Sequence, residues 1–312
     1  MAKQPIYLDQ ALTNVANAWE NTQEDFIADK LFPVVTVKKP TFKIPEYGKE
    51  NLNLPASTVR TGLSKALSVS QTRSYKQAQP LVEHALSGVV TEDDYELTDD
   101  PFEPESDETE NILSVMALVD EKALADKLTD PLVVTNNRTL LGTDRWSDYA
   151  NSDPFNDIKT AVTSSKFIKY NTMALSRDGY LSLISHPDIL DRLKWAQGGA
   201  VSLEQLKQLF GPFGITNIYI GQARANLAPE GLDEDIQNIW GNDVLFGFVT
   251  PKPGRKQLNG GYKFVLTDGR KATKEQLSDP DHTKIVVKDR YNYEMLMNDA
   301  WYLLKDAFAT GA

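Results

Sequence analysis

Asp107-Glu108-Thr109-Glu110-Asn111-Ile112-Leu113-Ser114-Val115-Met116-Ala117-Leu118-Val119-Asp120-Glu121-Lys122-Ala123-Leu124-Ala125-Asp126-Lys127-Leu128-Thr129 reads as one long amphipathic helix. Ile112, Val115, Met116, Val119 and Ala123 fall at i, i+3, i+4, i+7 and i+11, the spacing of a single helical stripe. Asp107 with Glu110 three residues later is a capping-box-like start, because the Asp oxygen can accept a free first-turn N–H. Glu105, Glu108 and Glu110 set negative charge against the positive end of the helix dipole. Asp130-Pro131 is the stop, since proline cannot supply the next helical N–H. Such a rod would be about 33 Å long at 1.5 Å per residue. The chain before this helix reads as extended arm and loop, and the chain after it as compact α/β. That plan is unusual for an enzyme.

With 312 residues the chain has room for two core-forming modules. A hydrophobic fraction of 41% and a charged fraction of 25% are ordinary for a globular protein. The absence of cysteine removes disulfides, thiolate metal sites and cysteine nucleophiles together. Met1-Ala2-Lys3-Gln4-Pro5 has no apolar run behind it, so no secretory signal is expected. No stretch approaches the roughly 18 uninterrupted apolar residues of a membrane span. A net charge of −11 argues against tight general binding of nucleic acid.

That charge is unevenly spread. Residues 1–37 form an arm, with one short helix over Leu8, Leu12, Val15 and Trp19 and a second apolar piece, Phe26 to Phe32, ending at Pro33. The second piece has little local chain to bury it. Phe26, Leu31 and Phe32 are therefore expected to anchor on another subunit, with packing on their own domain as the alternative. Thr41 to Pro45 and Leu67 to Tyr75 alternate like strands of a long hairpin. Between Lys38 and Lys76 lie eight basic residues, Lys43, Lys49, Arg60, Lys65 and Arg73 among them, against Glu46 and Glu50, a local balance of +6. From Glu92 to Glu110 there are eleven acidic residues, including Asp93, Asp94, Asp99, Asp100 and Glu103, and no lysine or arginine. The spacing is not that of a calcium loop. Taken alone, each strip could be a solvated surface. Together they suggest self-association, the hairpin of one copy reaching the spine start of the next.

Beyond the spine, Leu132 to Leu141 is extended, and Asp153-Pro154 starts a helix running to about Ser165. Thr172 to Ser176, Thr216 to Gly221 and Val244 to Val249 read as strands. Helices are expected from Asp178 to Ile184, from His186-Pro187-Asp188 to near Trp195, and from Ser202 to Phe210. The alternation argues for a mixed α/β domain at about 151–278. Lys284 to Ala307 reads as long strands returning along the spine.

Chemistry is scarce. His84, His186 and His282 fall in separate segments without metal-ligand spacing, and His186 before Pro187 is most simply a helix-start residue. The elbow G-x-S-x-G and the phosphate loop G-x-x-x-x-G-K-[ST] are absent. Gly198-Gly199, Gly211-Pro212-Phe213-Gly214 and Gly260-Gly261 are turn glycines. No catalytic, cofactor or metal site is expected.

Several stretches in order resemble the major capsid proteins of tailed bacteriophages. They are Phe26 to Val35, Trp146 to Pro154, Ser185 to Lys194, Ile239-Trp240-Gly241 and Asp299 to Ala307. The resemblance spans almost the whole chain and implies the α+β, Hong Kong 97-like capsid fold. It implies an N-terminal arm at 1–38, an extended E-loop at 39–82, a P-domain at 83–150 holding the spine, an A-domain at 151–278 and P-domain return strands at 279–312. It further implies a non-enzymatic shell protein of the virion, made in the host bacterial cytoplasm, whose pentamers and hexamers close into an icosahedral head around double-stranded DNA. Portal, scaffolding and decoration proteins are the implied partners, with the scaffold encoded separately because the arm begins almost at Met1. Lysine–asparagine cross-linking is not carried over to Lys65 or Lys76. An acidic shell suits a DNA container, since a lining that gripped phosphates would resist packing. The rivals are an encapsulin-like compartment shell and, in a different class, a soluble α/β hydrolase or binding protein.

Overall fold

Pro104, not Asp107, begins the long helix, which runs Pro104–Leu128 over 25 residues, about 37 Å. Glu103 is the extended residue before it, and proline at the first helical position loses only an N–H that has no partner there. The expected capping box is therefore not made, and the Asp107 N–H donates to the Glu103 carbonyl inside the first turn. The end falls at Thr129, before Asp130-Pro131, as read from sequence. The stripe is rotated, however. Ile112 and Met116 are buried, whereas Val115 and Val119 are 44% and 54% exposed and Ala123 faces outward. The inner face carries Leu113, Asp120, Glu121, Leu124, Ala125 and Leu128. Counting apolar residues alone missed it because two carboxylates sit on it.

The computed structural model describes residues 7–18, 25–47, 57–60, 62, 65, 73–97, 103–165, 168–193, 201–228, 231–251, 259–278 and 281–309. In chain order the elements are β1 (Tyr7–Leu8), α1 (Gln10–Ala18), α2 (Ala28–Leu31), β2 (Val34–Val37), β3 (Lys43–Tyr47), β4 (Arg73–Gln77), β5 (Val82–Thr91) and α3 (Glu92–Leu97). The spine α4 (Pro104–Leu128) is followed by β6 (Asn137–Thr139), α5 (Pro154–Ser164), β7 (Thr172–Ser176), α6 (Arg177–Ser185), α7 (Pro187–Leu193) and α8 (Leu203–Phe210). Then come β8 (Asn217–Gly221), β9 (Arg224–Asn226), β10 (Ile236–Asn238), β11 (Val244–Gly247), β12 (Gly261–Leu266), β13 (Lys271–Ser278), β14 (Asp281–Met295) and β15 (Trp301–Lys305). Trp19 of the arm stripe, Leu67 to Thr72 of the hairpin, Lys49, Asp99 and Asp100 lie outside the described residues.

Two main sheets share the chain. The first has the order β1-β13-β14-β12-β2, and β5 pairs with the opposite edge of β14. Against it pack α1 and α4, with Leu12 and Ala16 of the arm joining Ile112, Leu113, Met116, Ala272, Ile285 and Val287. The second sheet has the order β6-β15-β11-β7-β8. Asp153 caps α5 through the Asn156 N–H, and Ser202 with Gln205 forms a true capping box on α8. Those helices, with α6 and α7, bury Ile158, Leu183, Ile189, Leu206 and Phe210 against this sheet.

Two boundaries differ from the expectation. Gly261 to Ser278, placed in the 151–278 domain, forms β12 and β13 of the first sheet. Trp301 to Lys305, expected beside the spine, is instead a central strand of the second sheet, between β11 and β6. Four of its five residues are buried, which an interior strand needs and a strand open to solvent on one side does not. Only β14 returns along the spine.

The arm piece is a further correction. Leu31 and Phe32 are fully buried within their own chain, so they are not anchors for another subunit, and Phe26 is half-buried on the same core. The Phe32 ring stacks on Trp301 with centroids 5.6 Å apart and planes 17° apart. Gly247 and Gly260 admit that indole, for a Cβ on either would lie 2.3 Å from it. Trp301 thus joins arm, spine core and both sheets. Trp301→Ala is expected to cost about 3–5 kcal/mol of subunit stability, read as a lower denaturant midpoint of the unassembled subunit. An unchanged midpoint would show that the indole is not the junction.

Candidate assembly surfaces

The arm is held by a carboxylate. Helix α2 has only four residues, so its leading N–H groups need an acceptor from elsewhere. Glu121 supplies it from the spine. Its Oε1 accepts the Ile27 N–H at 2.9 Å, its Oε2 the Ala28 N–H at 2.8 Å, and Oε1 also the Trp240 indole N–H at 2.6 Å. The residue is 1% exposed. Burial pushes its carboxyl above the ordinary value, while the Ile27, Trp240 and Ala28 donors pull it back.

Beside Glu121 opens a cleft of about 630 Å³ between arm, spine and first sheet, lined by Phe26, Met116, Asp120, Lys263, Arg270 and Tyr291 among others. Lys263 reaches across it to Asp120, and to Asp29 at 3.2 Å. Burial would lower its ammonium, but those two carboxylates hold it above the usual lysine value. Arg270 pairs with Asp289 at 3.0 Å and donates to the Ala16 carbonyl at 3.1 Å. These charges knit the arm to the sheet.

The basic hairpin is rooted in its own chain. Ile44 and Ala78 share a cluster with Tyr262 and Phe264, and Phe42 meets Phe264 edge-on at 4.7 Å. Lys76 pairs with Glu294 at 3.0 Å and is thereby spent within the subunit. Lys43 faces outward on β3 opposite Gln77, and Arg60 and Lys65 are exposed. Arg73 opens β4 opposite Tyr47.

The acidic strip is divided. Asp93 and Asp94 sit on α3, whose residues are all exposed. Asp94 accepts the Thr91 N–H and hydroxyl at 2.8 and 2.7 Å, a local cap that lowers its pKa. Glu103 accepts from the Ser106 hydroxyl at the spine start. Glu105 is taken by Lys274 and by the Tyr95 hydroxyl, and Glu108 lies over Gly88.

One serine–histidine contact resembles catalytic machinery and is not. Ser152 Oγ and His186 Nε2 are 3.0 Å apart. The Asp188 N–H donates to His186 Nδ1 at 3.2 Å, so Nδ1 carries no proton and Nε2 is the N–H that donates to Ser152. The Ser152 hydroxyl in turn donates to the Asp148 carbonyl at 2.7 Å. His186 is thus the cap of α7 and a strut to the 148–152 loop. Among the described residues no group of three or more metal-ligating side chains exists, and no helix is long and apolar enough to cross a membrane.

No protein-family profile matches the chain. It is 27% identical over 307 residues to the major capsid protein of Burkholderia phage BcepMu, with 95% of each covered. It is 29% identical over 253 residues to the major capsid protein of Pseudomonas phage JBD67, covering 79% of this chain and 78% of that one. A phage-related protein from Bordetella bronchiseptica superposes with a TM-score of 0.73 at 25% identity, over 97% of this chain and 99% of that one. The capsid of cyanophage P-SCSP1u gives a TM-score of 0.56 at 12% identity over 94% and 91%, a likeness of fold alone. The architecture is the α+β, Hong Kong 97-like capsid fold.

Glu121→Gln keeps the shape but turns an amide NH₂ toward donors. It is expected to cost about 1.5–3 kcal/mol of subunit stability and to expose the arm to protease. Unchanged stability and proteolysis would remove Glu121 as the arm's anchor. For His186 the pKa is lowered by burial, with Asp188 and Asp153 opposing. The unfolded chain therefore takes up a proton that the fold resists, and stability falls as pH drops below about 6.5. His186→Asn keeps an oxygen for the Asp188 N–H and should flatten that part of the pH–stability curve. A variant with the same slope as the parent would locate the titration elsewhere.

Proposed function

We infer that this chain is the major capsid protein of a tailed phage, a shell subunit and not an enzyme. Copies of it assemble into pentameric and hexameric rings that close into an icosahedral head around double-stranded DNA. The observation that carries this is the joint one: a capsid fold along nearly the whole chain, with kinship over 95% of its length to the capsid protein of one phage and over 79% to that of a second. A compartment shell shares the fold, so kinship in sequence decides between the two.

On this reading the arm, the hairpin as E-loop, the P-domain of α4 and the first sheet, and the A-domain of the second sheet with α5 to α8 take their family roles. The tail is divided, β14 belonging to the P-domain and β15 to the A-domain. Scaffolding, portal and decoration proteins are the proposed partners, synthesis is in the bacterial cytoplasm, and the mature location is the virion. The acidic balance of −11 suits a wall that encloses DNA without gripping it.

The basic hairpin is proposed to cross the acidic stretch of a neighbour. Each exposed ion pair contributes about 0–1 kcal/mol, and many repeats around a ring add, screened over about 10 Å at 0.1 M salt. Electron microscopy tests both levels. The chain produced with its head-assembly partners should give rings and closed shells, and a monomer at every salt concentration would overturn the capsid reading. Changing Lys43, Lys49, Arg60, Lys65 and Arg73 to glutamate should leave a folded subunit without rings. Reversing Glu92, Asp93, Glu96, Asp99 and Asp100 to lysine in that chain should restore some assembly, with Asp94 left in place because it caps α3. Normal shells from the hairpin-reversed chain would remove the charge contact and leave the capsid reading standing.

A further inference from the structure

We propose that the Lys76–Glu294 ion pair is a latch that sets the angle at which the β3–β4 hairpin leaves its own first sheet, with Glu294 as the positioning residue. The proposal rests on the shell-forming reading and concerns how a single subunit aims the hairpin.

The hairpin is a lever on a small foot. The Ala78 N–H donates to the Phe42 carbonyl and the Leu81 N–H to the Pro40 carbonyl, each at 3.0 Å. Above that neck the ladder runs from Lys43↔Gln77 to Tyr47↔Arg73. Ile44 is buried with Tyr262 and Phe264, whereas Lys43, Pro45, Ser74, Tyr75 and Gln77 are exposed. Apolar contact is non-directional, so the Ile44 foot fixes position better than direction. Rotation about the foot is amplified outward. A point about 20 Å away, the reach of six extended residues, moves roughly 3 Å for each 10°. Among the described residues one ion pair joins β3 or β4 to the rest of the chain, Lys76 with Glu294 at 3.0 Å.

Glu294 ties three elements together. It lies on β14 opposite Tyr262 and is 5% exposed. Its Oε1 faces the Lys76 ammonium, and its Oε2 accepts the Gln79 N–H at 3.4 Å. One carboxylate thus holds β4 and the chain that follows it. Two residues earlier on β14, Asn292 donates to the Pro80 carbonyl at 3.1 Å. From the spine, Lys127 donates to the Tyr293 carbonyl at 2.6 Å. Burial holds the Lys127 ammonium below the usual lysine value, Glu294 opposing that shift and Lys76 adding to it. Hairpin, sheet and spine therefore share one buried negative charge. Lys76 and Ile44 are cross-strand partners, so latch and foot act at the same level of the ladder. Desolvating a carboxylate is costly, and an apolar side chain there would extend the Ile44 cluster without that cost. What the charge adds is direction. The Lys76 side chain is 47% exposed, so the pair can open without unfolding the sheet.

The chain has no cysteine, so two introduced cysteines take spin labels cleanly. Thr58→Cys, between the hairpin strands, and Ala123→Cys on the spine are both exposed positions. Their separation is measured by pulsed electron resonance on folded, unassembled subunits. Lys76→Met and Glu294→Gln are each expected to broaden the distance distribution, or to displace it by about 3 Å per 10° of rotation. The double variant is expected to do no more than either single, and Lys76→Arg to restore the parent distribution. Lys76→Met particles are expected to lose the parent's uniform diameter in electron micrographs. If Glu294→Gln fails to fold, Lys76→Met and Lys76→Gln, at a half-exposed position, carry the test. Parent distributions from the Lys76 variants would overturn the latch, as would a double variant that broadens beyond both singles. Uniform particles of parent diameter from Lys76→Met would overturn its role in assembly. Failure of the unaltered chain to form particles would instead strike at the capsid reading, while the distances, read on subunits, would still decide the latch.

Discussion

A buried carboxylate on the spine holds the subunit together. Glu121 accepts two backbone N–H groups from the arm and one indole N–H from the loop before β11. These partners lie 94, 93 and 119 residues away along the chain. Desolvating a carboxylate is expensive, and only convergent donors offset it. If the three donors are displaced, the four-residue α2 loses its acceptor, Phe32 loses its register on Trp301, and the junction of the two sheets opens. Arm docking, spine orientation and contact between the halves are therefore one event. That coupling suits a subunit whose assembly surfaces must be presented in fixed relation.

Charge is used in two ways along the same spine. Inside, Asp120 with Lys263 and Asp289 with Arg270 are matched pairs that bind the arm and spine to the first sheet. Outside, the charges are segregated by sequence, basic on the hairpin and acidic around α3. That segregation is what the proposed contact between copies rests on. Val115 and Val119 on the outer side of the spine, with Val82, Leu86 and Val89 on β5, add apolar surface to the same exterior.

The spine, the Pro154 and Ser202 helices, the strands at 172, 217 and 244, and the long return strand were all legible in sequence. Proline, capping residues and apolar runs act locally, so their meaning does not depend on what lies opposite. The same locality explains His186, which a neighbouring proline already marked as the start of a helix. What local pattern could not decide was partnership. Which face of the spine is inner depended on Glu121 finding donors in the arm and Asp120 finding Lys263, residues far away in the chain. Apolar counting assigned Val115 and Val119 inward because it has no way to value a satisfied carboxylate. Phe26 to Phe32 looked unsheltered because its shelter, Trp301, lies some 270 residues onward. Trp301 to Lys305 and Gly261 to Ser278 were strand-like or turn-bounded by themselves, but their sheet was set by hydrogen-bond register with β11 and β14. Sequence by itself determined the spine, the capped helices, the strands with continuous apolar runs, the charge segregation and the lack of catalytic motifs, while β5, α3, β12 and β13 carried no local signal that was read. Only the tertiary structure decided which elements pair, because burial and hydrogen-bond satisfaction are properties of distant residues brought together.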